Sequence, residues 1–185
     1  MEYFDVLDEK GNKTGETKSR DEVHKKGLFH RTIFVWIINS NGELLIQKRS
    51  SSRDKNPDMW TISASGHLST GDDSIMGALR ELKEEIGITT TKTELQYLFT
   101  VKEHKIHSKD YIDNEFIDVF IINKDIEIKD LKLQVEEVSD VKFIPYKKLQ
   151  EMIEKTDSNI VEHKEMYNKL FNILKEKFTI RIAFV

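Results

Sequence analysis

Three glutamates, Glu81, Glu84 and Glu85, are closely spaced within the segment Ser74 to Ile86. A helix turns about 100° per residue, so a helix here would place all three carboxylates within an arc of about 100°. Like charges at these spacings cost about 0.2–0.5 kcal/mol per pair, so the cluster opposes helix formation unless a counter-ion joins it. Mg²⁺ suits this role because it takes a few carboxylate oxygens, keeps several waters and bridges to substrate phosphates. Taken alone, the spacing is compatible with an ordinary solvated helix face or with a site for a hard divalent cation.

The predicted helix Ser74 to Ile86 that would position these carboxylates has marked ends. Asp73 is a suitable N-cap, and Gly87 stands where a left-handed C-cap residue is wanted. An apolar stripe would face the core on the side opposite the glutamates, formed by Ile75, Leu79, Leu82 and Ile86. Gly77 lies one turn before Glu81 on the glutamate side. Its missing side chain would leave room for a metal or phosphate, or it is simply a tolerated surface glycine.

The composition is that of a folded protein with a core. The chain has 185 residues, of which 38% are hydrophobic and 34% charged. Its net charge of −4 and pI near 5.9 argue against a nucleic-acid polymer as partner, so an anionic ligand would need local basic groups or a cation. The absence of cysteine excludes disulfides and thiolate chemistry. No apolar run approaches the roughly 20 residues of a membrane-spanning helix, so we expect a cytoplasmic protein.

The order of the other elements predicts a single domain over residues 1–185, an α/β sandwich with a mixed sheet. Its parts would be an N-terminal hairpin extension (1–27), a core (28–155) and a C-terminal helix and tail (156–185). Strands are predicted at Tyr3–Leu7, Thr32–Ile38, Glu43–Lys48, Leu95–Val101, Phe116–Ile122 and Val141–Ile144, and further helices at Tyr146–Lys155 and Glu162–Lys177. The last eight residues, FTIRIAFV, would form an edge strand or remain a tail, which leaves a monomer or a homodimer open.

One segment carries a family motif. From Gly66, the sequence GHLSTGDDSIMGALRELKEEIGI resembles the Nudix box, G-x5-E-x7-R-E-U-x-E-E-x-G-U, in which U is an apolar residue. The box spans residues 66–88 and matches at eight of its nine defined positions. Asp72 stands where the motif has its first glutamate, which shortens the reach of that acid.

A second resemblance extends over nearly all of residues 1–155. The blocks GLFHRTIFVWI, QKRS, SGH, DNEFIDVF and VEEVSDVKFIPYKKL, together with Trp60, look like the branch of the Nudix superfamily that includes isopentenyl diphosphate isomerase and its hydrolase relatives. This resemblance implies a Nudix α/β/α sandwich with a mixed sheet, in which the box forms a loop–helix–loop. It also implies a Mg²⁺ site, where Mn²⁺ is an acceptable substitute.

The resemblance assigns roles to individual residues. The metal ligands would be the three box glutamates, Glu81, Glu84 and Glu85, helped by the backbone carbonyl of Gly66. Glu115 would reach the metal from outside the box, and Glu81 or Glu85 ranks ahead of it as the general base. Arg80 would pair with a box carboxylate and fix its orientation. His30 and His67 resemble two imidazole ligands of the isomerase, with His24 as a less secure third.

Several residues would contact the substrate. Lys48, Arg49, Arg53 and Lys55 form a basic cluster before Trp60, which Arg31 would join if the two neighbouring strands pair. This cluster would clamp phosphate or form a solvated loop. His30 and His67 would also face the substrate. Trp60 and Phe29 would stack on a nucleobase or belong to the core.

Three functions are compatible with this sequence. The first is hydrolysis by metal-activated water of a phosphoanhydride bond in a small molecule, foremost a nucleoside di- or triphosphate or a nucleoside diphosphate derivative. The second is isomerase-like chemistry on a prenyl diphosphate. It is disfavoured because Ser65 stands where the isomerase has a catalytic cysteine before the Gly-His pair, and because the R-E-L-K-E-E segment of the box, which is eroded in the isomerase, is whole here. The third is a silent binding module, disfavoured because all three helix carboxylates are kept.

Overall fold

A computed structural model describes the backbone of residues 2–182 and the side chains of residues 2–177. Within that part of the chain lie nine strands and four α-helices. The strands are β1 (Tyr3–Leu7), β2 (Lys13–Ser19), β3 (Phe29–Ile38), β4 (Glu43–Arg49), β5 (Trp60–Thr61), β6 (Ala64–His67), β7 (Gln96–Ser108), β8 (Tyr111–Asn123) and β9 (Val138–Pro145). The helices are α1 (Arg20–Lys26), α2 (Ser74–Ile86), α3 (Tyr146–Glu154) and α4 (Lys164–Ile182). The predicted α/β class with a mixed sheet is confirmed.

The chain divides into two compact units, and β3, β8 and α2 each continue from one unit into the other. The first comprises the described residues of Met1–Val35, Ala64–Lys83 and Thr89–Ile121. In this unit β1 pairs with β2, the N-terminal part of β3 pairs with β6, and β7 pairs with β8 in a long hairpin, all antiparallel. Helix α1 begins after the N-cap Ser19 and ends at Gly27, which has a left-handed φ of 60°. The unit therefore brings α1, β3, β6 and β8 together.

The second unit comprises the described residues of Trp36–Ser63, Glu84–Ile88 and Ile122–Val185. Here β4 pairs with β9 along its whole length and with β5 near its end, both antiparallel. The ladder between β3 and β4 is confined to Ile38 and Leu44, next to the turn that joins these strands. Fully buried side chains from both strands and α4, among them Trp36, Leu44 and Leu170, form the core of this unit. No helix in the described part of the chain is long and apolar enough to cross a membrane.

Helix α2 has the bounds that the sequence predicts, because its end signals are local. The Asp73 carboxylate accepts a hydrogen bond from the backbone N–H of Met76 at 2.8 Å, which is the expected N-cap contact. At the other end Gly87 adopts a φ of 75°. The backbone carbonyl of Glu85 accepts a hydrogen bond from the N–H of Gln134 at 3.0 Å, so a loop satisfies part of the helix C-terminus.

The predicted orientation of α2 is wrong in one respect. Ile75, predicted in the core stripe, is 40% exposed, whereas Glu81 and Glu85 are only 8% and 4% exposed. Leu82 and Ile86 are buried as predicted. Two of the glutamates therefore lie on the buried side of the helix next to the apolar stripe, and only Glu84 is exposed. The helical period correctly predicts the angles between these side chains around the helix axis. It does not show which side of the helix packs against the rest of the protein.

Gly77 provides space for an apolar side chain, so the predicted clearance for metal or phosphate is wrong. A Cβ atom at this position would overlap the side chain of Leu68, and Ile33 lies 3.8 Å from the same point. Leu68 is 8% exposed and Ile33 is fully buried, so neither has free space to move into. The glycine therefore permits close packing of α2 on the residues that follow β6.

We expect Gly77→Ala to destabilise the protein. An alanine in an open helix position would add about 1 kcal/mol of stability, but overpacking against Leu68 costs about 1–3 kcal/mol. The net loss in unfolding free energy should reach up to about 2 kcal/mol in urea denaturation. The matched control is Gly77→Ala in a Leu68→Ala background, where the added methyl group should no longer lower stability. A single variant more stable than the wild type would contradict the steric explanation.

The end of the chain departs from the predicted edge strand. Residues 178–182, the first part of FTIRIAFV, continue helix α4 in the backbone, so the edge-strand alternative is wrong for them. Residues 183–185 lie outside the described residues. The β-branched residues of this segment favour a strand locally, but the preceding helix overrides that preference.

Candidate active site

The first part of the site joins the start of the box to its helix. Gly66 lies on β6, paired with Ile33 of β3, and a Cβ atom there would overlap the carboxylate of Glu81. Only glycine therefore lets this carboxylate reach the backbone of β6. Arg80 donates to Glu81 Oε1 at 2.6 Å and to the backbone carbonyl of His67 at 2.9 Å. The predicted pairing of Arg80 with a box carboxylate is thus present, and it fixes the position of Glu81.

Asp72, which replaces the first glutamate of the motif, stays close to the same arginine. Its carboxylate lies 3.9 Å from Arg80 Nε, at the outer limit of an ion pair. The shorter side chain thus keeps an electrostatic contact with the guanidinium but not a short hydrogen bond.

Glu85 is held separately, in the second unit. Its Oε2 atom accepts a hydrogen bond from the side-chain amide of Gln47 on β4 at 3.2 Å, and both residues are buried. A buried carboxylate is costly unless hydrogen bonds or a cation compensate it. The amide supplies one such contact. Glu84 is exposed on the same helix.

A second group of donors converges in the first unit. His24 of α1, His30 of β3, His67 of β6 and Glu115 of β8 each present one ligand atom, and these atoms lie within 4.8 Å of one another. The Glu115 carboxylate lies 3.4 Å from His30 Nε2 and 3.2 Å from His67 Nε2. None of the three Nε2 atoms makes a hydrogen bond in the described chain, although all three are buried. Buried nitrogen atoms without partners that face one carboxylate are the arrangement a metal ion would satisfy.

Backbone contacts fix the orientation of two of these imidazoles. His24 Nδ1 lies 2.7 Å from the carbonyl oxygen of Arg20, and His30 Nδ1 lies 3.0 Å from that of Leu28. A carbonyl oxygen only accepts, so each Nδ1 carries the proton and each Nε2 keeps its lone pair. This is the tautomer that a metal-binding histidine requires, with its other nitrogen donating to a backbone oxygen. The residues present therefore fit a divalent ion that accepts imidazole.

The electrostatics of the cluster favour the same protonation state. Burial lowers the pKa of His24 to about 4, and burial also lowers the pKa of His67. At neutral pH these two histidines are therefore neutral, as metal-binding imidazoles must be.

The N-terminal extension is part of this site. Phe4 of β1 is 1% exposed and stacks on the rings of His67 and His30, with centroid distances of 4.8 Å and 5.4 Å. Asp113, two residues before Glu115, lies 3.5 Å from His24 Nε2 and 2.7 Å from His107 Nε2. Sequence reasoning missed Phe4 and Asp113. For Asp113 the signal was its position two residues from Glu115, which places both on one face of a strand.

The predicted basic residues are held by protein groups. Arg31 binds both carboxylate oxygens of Asp118 at 2.7 Å and 2.9 Å. Lys48 lies 3.5 Å from Asp58. Arg49 donates to the backbone carbonyl of Lys55 at 2.9 Å. β3 and β4 pair antiparallel at Ile38 and Leu44, so the condition on which Arg31 would join this cluster is met. A phosphate-clamping role for these residues stays a prediction.

The aromatic candidates are partly buried and already in contact with cations. Trp60 has Lys142 Nζ at 3.8 Å from its ring centroid, and Phe29 has Lys102 Nζ at 4.3 Å. Each ring thus has one face occupied by an ammonium group. Stacking of either residue on a nucleobase stays a prediction.

The chain is similar in sequence and in fold to one family of known proteins. A family model described as NUDIX domain matches residues 28–164. The chain therefore belongs to the Nudix family, and it is a Nudix hydrolase, a class that generally hydrolyses phosphoanhydride bonds with divalent metals. In structure it is similar to DR0079 from Deinococcus radiodurans, with a TM-score of 0.69 and 16% identity over 95% of this chain and 98% of that chain. At this identity the likeness shows the fold alone.

Curated relatives include both hydrolases and isomerases. Nudix hydrolase 3 of Arabidopsis thaliana is 39% identical over 182 residues, which cover 95% of this chain but only 24% of the plant protein. The chain thus spans about a quarter of that relative's length. An uncharacterized Nudix hydrolase of Listeria innocua is 37% identical over 81% of this chain and 83% of that protein. Isopentenyl-diphosphate Delta-isomerase 2 of Photorhabdus laumondii is 30% identical over 82% of each.

Proposed function

We propose that the protein hydrolyses a phosphoanhydride bond in a nucleoside diphosphate derivative and depends on Mg²⁺ held by the box glutamates. The observation that carries this proposal is the contact of the Glu81 carboxylate with Gly66, a position where any side chain would displace it. The same two positions supply a carboxylate and a backbone carbonyl, both of which are hard oxygen donors suited to Mg²⁺. The three helix carboxylates of the box, all of which are kept, support hydrolysis over a silent binding role.

Each box residue has a distinct task in this proposal. Glu81, fixed by Arg80, and Glu85, fixed by Gln47, hold their carboxylates in place before substrate arrives, so no reorganisation is needed during the reaction. Glu84 would complete the set from the exposed side. A divalent ion bound there would polarise the phosphoryl oxygens and lower the pKa of a bound water. Glu81 or Glu85 would then take the proton from the attacking water, ahead of Glu115.

The histidine cluster is proposed as a second metal site with a different preference. Its donors are three imidazoles and one carboxylate, whereas Mg²⁺ prefers oxygen ligands alone. Zn²⁺ and other first-row transition ions accept imidazole, and Mn²⁺ tolerates a mixed set. Gly66 and His67 are consecutive on β6, so one strand carries donors for both sites. Two metals near one phosphoanhydride would orient the substrate and neutralise its charge.

The same cluster favours a second candidate function. His30, His67 and Glu115 resemble metal ligands of the isomerase, and an isomerase is among the relatives. In this alternative the chain would move a proton on a prenyl diphosphate without breaking the phosphoanhydride bond. Ser65 weighs against it, because a hydroxyl group has a pKa far above that of the thiol it replaces and is a poor proton donor and acceptor here.

One assay separates the two candidates. Purified protein with Mg²⁺ would be incubated with nucleoside di- and triphosphates, nucleoside diphosphate sugars and isopentenyl diphosphate, with detection of phosphate and pyrophosphate and of the isomeric prenyl product. We expect release of phosphate or a nucleoside monophosphate from at least one nucleotide, and none with Glu81→Gln. Isomerisation of isopentenyl diphosphate with no phosphate release from any substrate would replace the hydrolase proposal with the alternative.

A further inference from the structure

The inner face of the β7–β8 hairpin carries a lysine that the proposed metal sites do not use. In this antiparallel ladder Glu103 lies opposite Glu115, and Lys105 lies opposite Asp113. Residues directly opposite each other in such a ladder project from the same face, with Cβ atoms about 4.5–5.5 Å apart. Lys105 is therefore on the face of the sheet that holds Glu115 and Asp113, and it is partly buried.

The expected partner of Lys105 is engaged elsewhere. Opposite charges at directly facing positions normally pair. Asp113, however, places one carboxylate oxygen 2.7 Å from His107 Nε2 and the other 3.5 Å from His24 Nε2. Among the side chains that the structure describes, Lys105 makes no hydrogen bond or ion pair. Its ammonium group is thus a cation on the face that carries Asp113 and Glu115, and no described side chain pairs with it.

The charges on this face suit an anionic ligand. Glu103, Asp113 and Glu115 would repel a phosphate, and the whole protein carries a net charge of −4. Divalent ions bound among these acids would reverse the local sign, and an adjacent ammonium group would extend the positive region beyond the ions. We propose that Lys105 binds a phosphate oxygen of the substrate at the rim of the histidine cluster. This inference rests on the proposed phosphoanhydride chemistry.

The test measures binding of methylenediphosphonate, a non-hydrolysable diphosphate, by calorimetry at saturating Mn²⁺. We expect Lys105→Gln to weaken the affinity on the order of tenfold, because one charged hydrogen bond to phosphate is lost. Lys105→Arg should retain most of the affinity. The matched control is Lys109→Gln, which removes the same charge from the turn of the same hairpin, where the lysine side chain is 91% exposed. That variant should bind like the wild type.

Three results would overturn the proposal. The first is binding of the diphosphonate by Lys105→Gln within twofold of the wild type, and the second is an equal loss of affinity in Lys109→Gln, which would indicate a general charge effect. A parallel titration with Mn²⁺ alone should give equal metal affinity for wild type and Lys105→Gln; a matching loss there would assign the effect to the metal site instead. If the wild type fails to bind the diphosphonate with Mn²⁺ present, the proposed function itself fails, and this inference with it.

Discussion

Glu81→Gln and Glu85→Gln should each lower kcat by on the order of 10²-fold or more. Both substitutions keep the shape of the side chain and remove the negative charge that would hold Mg²⁺. Glu81 lies against Gly66 and is held by Arg80, and Glu85 accepts a hydrogen bond from Gln47, so both side chains already have fixed positions. The lost charge acts on the transition state, where negative charge builds up on the phosphoryl oxygens, and the effect should therefore fall on kcat. Steady-state kinetics, with the substrate identified by the hydrolysis assay proposed above, measure the change in kcat.

A folded-state control accompanies these variants. Glu151→Gln removes the same charge from α3, where the side chain is 57% exposed, and should leave kcat unchanged. Thermal unfolding should show all three variants folded, because the glutamines leave no cavity and the apolar face of α2 is untouched. Unchanged turnover in both box variants would contradict the assignment. A large fall in the melting temperature of the box variants would instead mean that they lose turnover because the folded protein is less stable.

The sequence predicted the parts of this fold that depend on local chemistry. Helix α2 begins directly after its N-cap Asp73 and ends directly before Gly87. Both signals are predictable because an N-cap side chain and a left-handed glycine act within a few residues. The close approach of Glu81 to Gly66 follows from a motif that spans 23 residues. The strands β3, β4 and β8 follow from runs of β-branched and aromatic residues. In each case neighbours along the chain contain the information.

Local sequence patterns do not predict contacts between residues that are far apart in the chain. His24 lies on α1, a helix of seven residues that is too short to give a strong periodic signal. Its convergence with His30, His67 and Glu115 depends on how β3 pairs with β6 and on where α1 packs, and neither follows from spacing. The burial of Glu81 and Glu85 was also missed, because a charged helix face is normally solvated. Burial of a carboxylate is costly, and here contacts from Arg80 to Glu81 and from Gln47 to Glu85 offset part of that cost.

Removal of divalent ions should abolish activity. The box site offers carboxylate and carbonyl oxygens, and the histidine cluster offers three imidazole nitrogens that have no hydrogen-bond partner in the described chain. Protein treated with EDTA and then freed of chelator should be inactive, and Mg²⁺ or Mn²⁺ should restore turnover. Elemental analysis should find no bound metal in the inactive sample, whereas activity in protein shown to be metal-free would contradict the proposed chemistry.

The two metal sites can be distinguished by the ion that each retains. Imidazole ligands bind Zn²⁺ and other transition ions far more tightly than they bind Mg²⁺, so wild-type protein loaded with Zn²⁺ should keep about one equivalent through gel filtration. His30→Ala should lose that ion, because His30 contributes one of four donors and is fully buried among the others. Glu84→Gln, on the exposed side of α2, should keep it. Equal zinc retention by wild type and His30→Ala would show that the histidine cluster does not bind metal, and the oxygen donors of the box would then be the remaining candidate site for the ion.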